Sequence, residues 1–271
     1  MSQMDSEDVK KAVREHYGKV AELESPGCAP GCCGGGAQSS LKLGYSEADL
    51  ADLPAGADLG LGCGNPQAIA GLRAGDTVID LGSGAGFDCF LAARKVGPSG
   101  KVIGIDMTAS MVTKARDNAR KAKVAGVEFR LGEIEHLPVA DSCADVILSN
   151  CVINLVPDKK AAFAEALRVL KPGGRLAIAD VVTIAPLPEA LQNQIAALTG
   201  CISGASSVAE LRAALGEVGF GDVRIEIRPE SREFIRDWIP GSGSESYIAS
   251  ATIEAVKPQK TSCCDPGCCA S

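Results

Sequence analysis

The chain has 271 residues, a net charge of −7 and 46% hydrophobic residues, with a pI near 5.0, so it offers no basic footprint for nucleic acid. No apolar run approaches the roughly 18 residues of a membrane span, and the polar, acidic opening from Met1 to Lys11 has no apolar secretory core. A cytoplasmic protein with no membrane partner is expected, and its 12 cysteines are expected as free thiols or soft-ion ligands, since a chain this long needs no staples.

From the start, Ser6 to Leu23 places Val9, Val13, Tyr17 and Val20 at helical spacing opposite Lys10, Arg14 and Lys19, which predicts an amphipathic helix. Ser25 to Ser40 shifts to Pro, Gly, Ser and Cys, including Cys28, Cys32 and Cys33, and reads as a mobile loop. A second irregular stretch runs to Gly64-Asn65-Pro66, after which strands and helices alternate. Thr77 to Leu81, Lys101 to Asp106, Val127 to Leu131, Ala144 to Ser149 and Arg175 to Asp180 are short apolar or β-branched runs. Between them Phe87 to Val96, Ser110 to Lys123 and Asp158 to Leu170 have helical patterns, and Lys171-Pro172-Gly173-Gly174 reads as a helix stop and a turn. Strands apolar on both faces that alternate with helices predict an α/β fold with a doubly wound, mostly parallel sheet. Its ligand belongs at the carboxyl ends of the strands.

Beyond Asp180 the pattern continues with helices at Pro188 to Leu198 and Val208 to Val218, a strand at Val223 to Ile227 and an alternating run at Tyr247 to Val256. Arg232 to Trp238 reads as a surface element and Gly241 to Ser244 as a flexible joint. These pieces either complete the sheet or form a smaller C-terminal α+β region over the substrate site.

The first strand ends in Asp80-Leu81-Gly82-Ser83-Gly84-Ala85-Gly86 and the next in Asp106. Glycines allow a tight turn and close approach of a ligand, and a carboxylate at the second strand end can accept hydrogen bonds from ribose hydroxyls. The glycines are spaced by two, unlike the phosphate-cradling Gly-x-Gly-x-x-Gly pattern, and Asp80 would repel a pyrophosphate. A cationic, phosphate-free nucleoside fits better.

Together with Gly132-Glu133-Ile134 and Leu170-Lys171-Pro172-Gly173-Gly174, these residues resemble the class I S-adenosylmethionine-dependent methyltransferases, across roughly residues 65 to 182. Leu61-Gly62-Cys63-Gly64-Asn65-Pro66, Ser149-Asn150-Cys151-Val152-Ile153-Asn154-Leu155 and Thr199-Gly200-Cys201-Ile202-Ser203-Gly204 narrow the resemblance to the arsenite methyltransferases. The resemblance implies a Rossmann-like fold and S-adenosylmethionine as cofactor. Gly82, Ser83 and Gly84 would then line its methionine moiety, with Asp80, Gly86 and Asn150 also among the cofactor-binding residues. Asp106 would bind ribose, Met107 would pack on adenine, and Glu133 with Ile134 would border the adenine edge. The expected organisation is 1–64 as N-terminal helix and Cys-rich segment, 65–182 as cofactor domain, 183–257 as arsenic-binding and C-terminal region, and 258–271 as a disordered Cys-rich tail.

Under this resemblance trivalent arsenic, which prefers soft thiolates, is expected on Cys63, Cys151 and Cys201. The glycine neighbours of Cys63 and Cys201 suggest exposed thiols, and Cys151 follows a strand at the ligand-binding edge. Structural zinc gathers paired C-x₂-C ligands, which these three lack; His16 and His136 are read as packing or surface residues. Cys89 and Cys143 are read as inert. The family also uses an N-terminal cysteine, for which Cys33 is favoured narrowly over Cys32 and Cys28. Cys264-Asp265-Pro266-Gly267-Cys268-Cys269 echoes Cys28-Ala29-Pro30-Gly31-Cys32-Cys33; with Cys263 these doublets suggest capture of thiophilic ions. A cellular thiol reductant, thioredoxin or glutathione, is the expected co-substrate, arsenite and methylated arsenicals the expected ligands, and a monomer the expected state. A methyltransferase acting on a small carbon nucleophile such as a quinone, or a noncatalytic thiolate store, are the alternatives.

Overall fold

A computed structural model of the chain describes residues 6–22, 37–189, 191, 202, 204–238 and 240–259. Helices α1 (Ser6–Glu22), α2 (Ala37–Lys42) and α3 (Glu47–Ala51) precede the alternating core. That core runs β1 (Thr77–Leu81), α4 (Phe87–Val96), β2 (Lys101–Asp106), α5 (Ala109–Ala122), β3 (Val127–Leu131), β4 (Ala144–Asn150), α6 (Lys159–Val169) and β5 (Leu170–Thr183). The chain then adds α7 (Val208–Val218), β6 (Gly221–Arg228), α8 (Arg232–Trp238) and β7 (Ile248–Val256).

Among the described residues, seven strands form one sheet in the order β3-β2-β1-β4-β5-β7-β6. Neighbours from β3 to β5 pair in parallel, whereas β7 is antiparallel to both β5 and β6. Side chains alternate across the sheet, so Ile79, Leu81, Ile103, Ile105, Ile147 and Ile178 pack on one face with Phe163 of α6 and Leu211 of α7. Val78, Val102, Val146, Leu148 and Ala177 pack on the other with Phe90 of α4 and Val112 of α5. Both faces are covered, which is why the strands read as apolar runs. The winding reverses between β1 and β4, opening a crevice at their carboxyl ends.

Of the two arrangements open for the segments after 183, they complete the sheet, supplying β6 and β7. Lys171 to Gly174 lies inside β5, where the register with β4 shifts between Ala144 and Val146. There Gly173 donates to the carbonyl of Lys257 and Lys257 to that of Gly174, both at 2.8 Å, so pairing on the β7 side overrides the local turn signal. Arg232–Trp238 is a helix that buries Ile235 completely, more than a surface element. Of the expected loop at Ser25 to Ser40, residues 37–40 are helical and the remainder lies outside the described residues, as does most of Pro188 to Leu198.

Candidate active site

The crevice holds a cavity lined by Asp80, Gly82, Ser83, Gly84, Asp106, Met107, Ile134, Asn150 and Cys151, all singled out in the sequence. Gly82 has φ +69°, and a Cβ there would meet Val152 at 2.4 Å, so this turn admits no side chain. Gly84 has φ +50° with open space beside it, leaving its backbone bare toward the cavity. Gly86 does not line the cavity; it precedes α4 at φ 97°, and a Cβ on it would strike Phe90 and Phe129 at 2.8 Å.

Asp106 is pinned at the end of β2, accepting from Gly84 N–H at 2.9 Å and Thr108 N–H at 2.8 Å. Each carboxylate oxygen keeps acceptor capacity for a hydroxyl pair. Glu133 departs from its expected place: its carboxylate meets Lys10 at 2.7 Å and Arg14 at 3.4 Å on α1 and does not line the cavity. Glu135, also paired with Lys10 at 3.2 Å, lines it instead. The turn carrying these glutamates bridges Glu133 to His136. Helix α1 therefore covers the cavity, contributing Lys10, Val13 and Tyr17 to its wall.

Residues the sequence reading missed deepen the acidic character. Asp88, in the first turn of α4, lines the cavity with Asp58 and accepts from Tyr45 Oη at 2.9 Å and Asn150 Nδ2 at 3.2 Å. Its signal was a carboxylate within the apolar run Phe87 to Leu91. Burial pushes Asp80, Asp88 and Asp106 upward, Asp80 strongly and with a further push from the charge of Asp88. Several carboxylates around one cavity favour a cationic ligand, which would relieve their mutual repulsion. Cys89, fully buried, donates to Asp80 at 3.2 Å, and burial followed by that neighbouring charge holds it protonated.

Beside this cavity lies a thiol centre. Cys63, in the loop before the α/β core, and Cys151, just past β4 with φ 60°, are paired as a disulfide with Cα atoms 5.3 Å apart. Cys63 N–H donates to Asn150 Oδ1 at 3.0 Å, and its carbonyl accepts from Ser250 Oγ at 2.6 Å; Cys151 N–H donates to Ala179 O at 2.8 Å. The expectation of an exposed Cys63 is not met: it is 2% exposed and Cys151 is 5% exposed. The adjacent glycines serve close approach instead, for a Cβ on Gly64 would lie 2.9 Å from that of Ala179. The expectation of free thiols fails for this pair, whereas Cys89 and Cys143 are free.

Asp180, which the sequence reading did not single out, joins the pair; its carboxylate and the two sulfurs lie within 4.8 Å of one another. Burial raises it to about 7, against backbone hydrogen bonds that pull it down. The only sequence signal is one acid inside an apolar strand. Cys201 lies outside the described residues, as do Cys28, Cys32, Cys33, Cys263, Cys264, Cys268 and Cys269. Ile202, next to Cys201, is buried in the apolar cluster of Cys63 and Cys151.

Comparison with known proteins fits this pairing of a cofactor crevice with a thiol centre. Residues 72–222 match the model of a methyltransferase domain. The chain is 51% identical over 267 residues to the arsenite methyltransferase of Halobacterium salinarum, a match that covers 94% of this chain and 68% of that protein. The chain belongs to the arsenite methyltransferase family. A second arsenite methyltransferase, from Aquipseudomonas alcaligenes, is 37% identical over 79% of this chain and 63% of its own length. The crystal structure of CrArsM, an arsenic(III) S-adenosylmethionine methyltransferase from Chlamydomonas reinhardtii, has a TM-score of 0.59 and 30% identity over 82% of this chain and 73% of that one. Membership makes this an S-adenosylmethionine-dependent enzyme of class I methyltransferase fold. Among the described residues no helix is long and apolar enough to cross a membrane.

The cavity suits that cofactor. Ser83 Oγ is buried without a partner among the described residues, Gly84 leaves room beside its backbone, and Asp58, Asp80, Asp88 and Asp106 line the same cavity, which favours a cationic ligand.

Proposed function

We propose that this chain methylates trivalent arsenic held by Cys63, Cys151 and Cys201, with a cellular thiol such as thioredoxin or glutathione as co-substrate. The observation that carries this reading is that Cys151 belongs at once to the wall of the cofactor cavity and to the buried thiol centre. A substrate on its sulfur stands next to the cofactor.

When bound, S-adenosylmethionine supplies an electrophilic methyl group. In this reading Asp106 holds the ribose, Met107 and Ile134 flank the adenine, and Asp80 with Asp88 stabilises the positive end. Reduced Cys63 and Cys151 replace hydroxyls on arsenic and aim its lone pair at the methyl. No proton needs to leave the nucleophile, so positioning is the main contribution of the protein. The apolar cluster of Leu155, Val181, Ile202, Ile235 and Ile248 keeps water from competing. Methylation raises arsenic formally to the pentavalent state, and two thiols can return it to the trivalent state by forming a disulfide, which the external thiol then reduces.

An N-terminal thiol, with Cys33 preferred, takes part in loading or release. The doublets Cys263-Cys264 and Cys268-Cys269 capture arsenite, and removing residues 263–271 then raises the arsenite concentration for half-maximal rate. The enzyme acts as a cytoplasmic monomer, with light scattering as the check on its mass. The deciding experiment incubates the purified chain with S-adenosylmethionine, arsenite and a thiol reductant and separates the arsenic species by chromatography with mass detection. Methylarsenicals that require all three components support the reading. Bound but unchanged arsenite beside intact cofactor refutes it in favour of sequestration or another methyl acceptor.

A further inference from the structure

We infer that the Asp180 carboxyl group recognises the hydroxyl that remains on arsenic once Cys63 and Cys151 have engaged it, making the site selective for inorganic arsenite over its monomethylated form. The inference rests on the proposed thiolate binding of arsenic and adds a specificity-determining residue to it.

The position of Asp180 is the first argument. Its carboxylate and both sulfurs lie within 4.8 Å of one another, and the residue is 1% exposed. Its oxygens are held by neighbouring groups: Oδ1 accepts from Asn154 Nδ2 at 2.9 Å and from Val181 N–H at 2.8 Å, and Oδ2 accepts from Asn154 N–H at 3.3 Å. The group is thus oriented before any substrate arrives.

Its cost is the second argument. Apart from Asn154, which hydrogen-bonds it, the cluster around Cys63 and Cys151 beside it is apolar, including Val181, Ile235 and Ile248, and burying a carboxyl group there costs desolvation that an aliphatic side chain would not. Asn154 and the backbone N–H groups offset part of that cost, and the carboxylate oxygens retain acceptor capacity for a hydroxyl on the side of the sulfurs.

Stoichiometry identifies that partner. Two thiols and arsenous acid exchange as As(OH)₃ + 2 RSH → As(OH)(SR)₂ + 2 H₂O, which leaves one hydroxyl donor on arsenic. Methylarsonous acid exchanges as CH₃As(OH)₂ + 2 RSH → CH₃As(SR)₂ + 2 H₂O, which leaves none. The hydroxyl donates to Asp180 until a third thiol displaces it as water. A methyl group in its place gives the carboxylate no hydrogen bond. At about pH 8, where the carboxyl group is ionised, a hydrogen bond to it corresponds to roughly a 10- to 100-fold difference in affinity.

The test uses the reduced full chain carrying Cys201→Ser, which holds arsenite at the two-thiol stage where one hydroxyl remains, and adds Asp180→Asn alone or Asp180→Asn with Asn154→Asp. The exchange keeps a donor–acceptor pair between the two positions if the single variant does not fold. Binding of arsenite and of methylarsonous acid is followed by arsenic–thiolate absorbance, with thermal melting as the folding control. The expected result is a roughly 10-fold or greater loss for arsenite and a change within about two-fold for methylarsonous acid. Equal losses for both arsenicals, or no loss for arsenite, in a folded variant would overturn the inference while the proposed function stands. Wild-type protein that binds neither arsenical would overturn both.

Discussion

Cys63 and Cys151 are 88 positions apart in sequence, yet their Cα atoms lie 5.3 Å apart. Asn150 makes the join: its Oδ1 accepts from Cys63 N–H at 3.0 Å and its Nδ2 donates to the carbonyl of Gly64 at 2.9 Å. The same Nδ2 also faces Tyr45 Oη at 3.0 Å. One side chain at the end of β4 thereby fixes the thiol loop and connects it to the polar wall of the cofactor cavity.

Cys63→Ser should reduce arsenite methylation at least about 100-fold, because an alcohol is a poor ligand for a soft ion. Cofactor affinity should stay within about two-fold, since Cys63 does not line the cavity. Product chromatography and calorimetric titration with S-adenosylhomocysteine measure the two effects, and full methylation by the variant would remove Cys63 from the site.

Asp106→Ala deprives Gly84 and Thr108 N–H of their acceptor and removes the proposed anchor for ribose. A loss of roughly 10- to 100-fold in cofactor affinity is expected from the lost charged hydrogen bonds, readable by the same titration. Unchanged affinity would place the nucleoside elsewhere.

Gly82→Ala and Gly84→Ala should differ in kind. At Gly82 the added Cβ meets Val152 and φ is positive, so destabilisation of about 2 kcal/mol or more is expected. At Gly84 the Cβ enters open space; the melting temperature should fall less and cofactor affinity more. Parallel thermal melts and titrations would expose an error in this contrast if both variants lost stability equally.

Lys10→Met removes the ion pair of Glu135 and leaves Glu133 with Arg14 alone, and should loosen α1 over the cavity. Faster amide hydrogen exchange across residues 6–22 and faster cofactor release are expected. Exchange unchanged in α1 would show that its apolar contacts, such as Val20 and Ala21 with Leu59 and Met111, suffice to hold it.

The pH dependence of stability carries a sign fixed by burial. Asp180 is raised from 3.8 to about 7 in the folded chain, so the folded state binds its proton more tightly than the unfolded state. Its contribution is complete below the unfolded value and disappears as pH rises through about 7. Between about pH 5.5 and 8, the wild type should lose roughly 2 kcal/mol of stability relative to Asp180→Asn. Urea unfolding of both proteins across this range tests it, and a constant difference would mean that Asp180 titrates normally.

The alternating core was legible because its signals are local. Phe87 to Val96 appears as a helix with the expected bounds, and β1, β2 and β3 match their apolar runs. The glycine turn and Asp106 were equally readable, since both follow from strand ends in a doubly wound sheet. Glu133 and Glu135 were harder to distinguish, because their roles depend on Lys10 of α1, more than a hundred positions away by numbering. Lys171 to Gly174 carried a strong turn signature but entered β5 because Lys257 pairs with it.

By itself, the sequence determined the alternation of strands and helices and the glycine turn after β1, through side-chain periodicity and backbone freedom. Only the tertiary structure decided that Cys63 and Cys151 are buried partners, that Asp180 stands beside them, and that α1 covers the cavity. Those relations arise when packing brings distant segments to the same crevice. Their contacts depend on three-dimensional register, which no local pattern encodes.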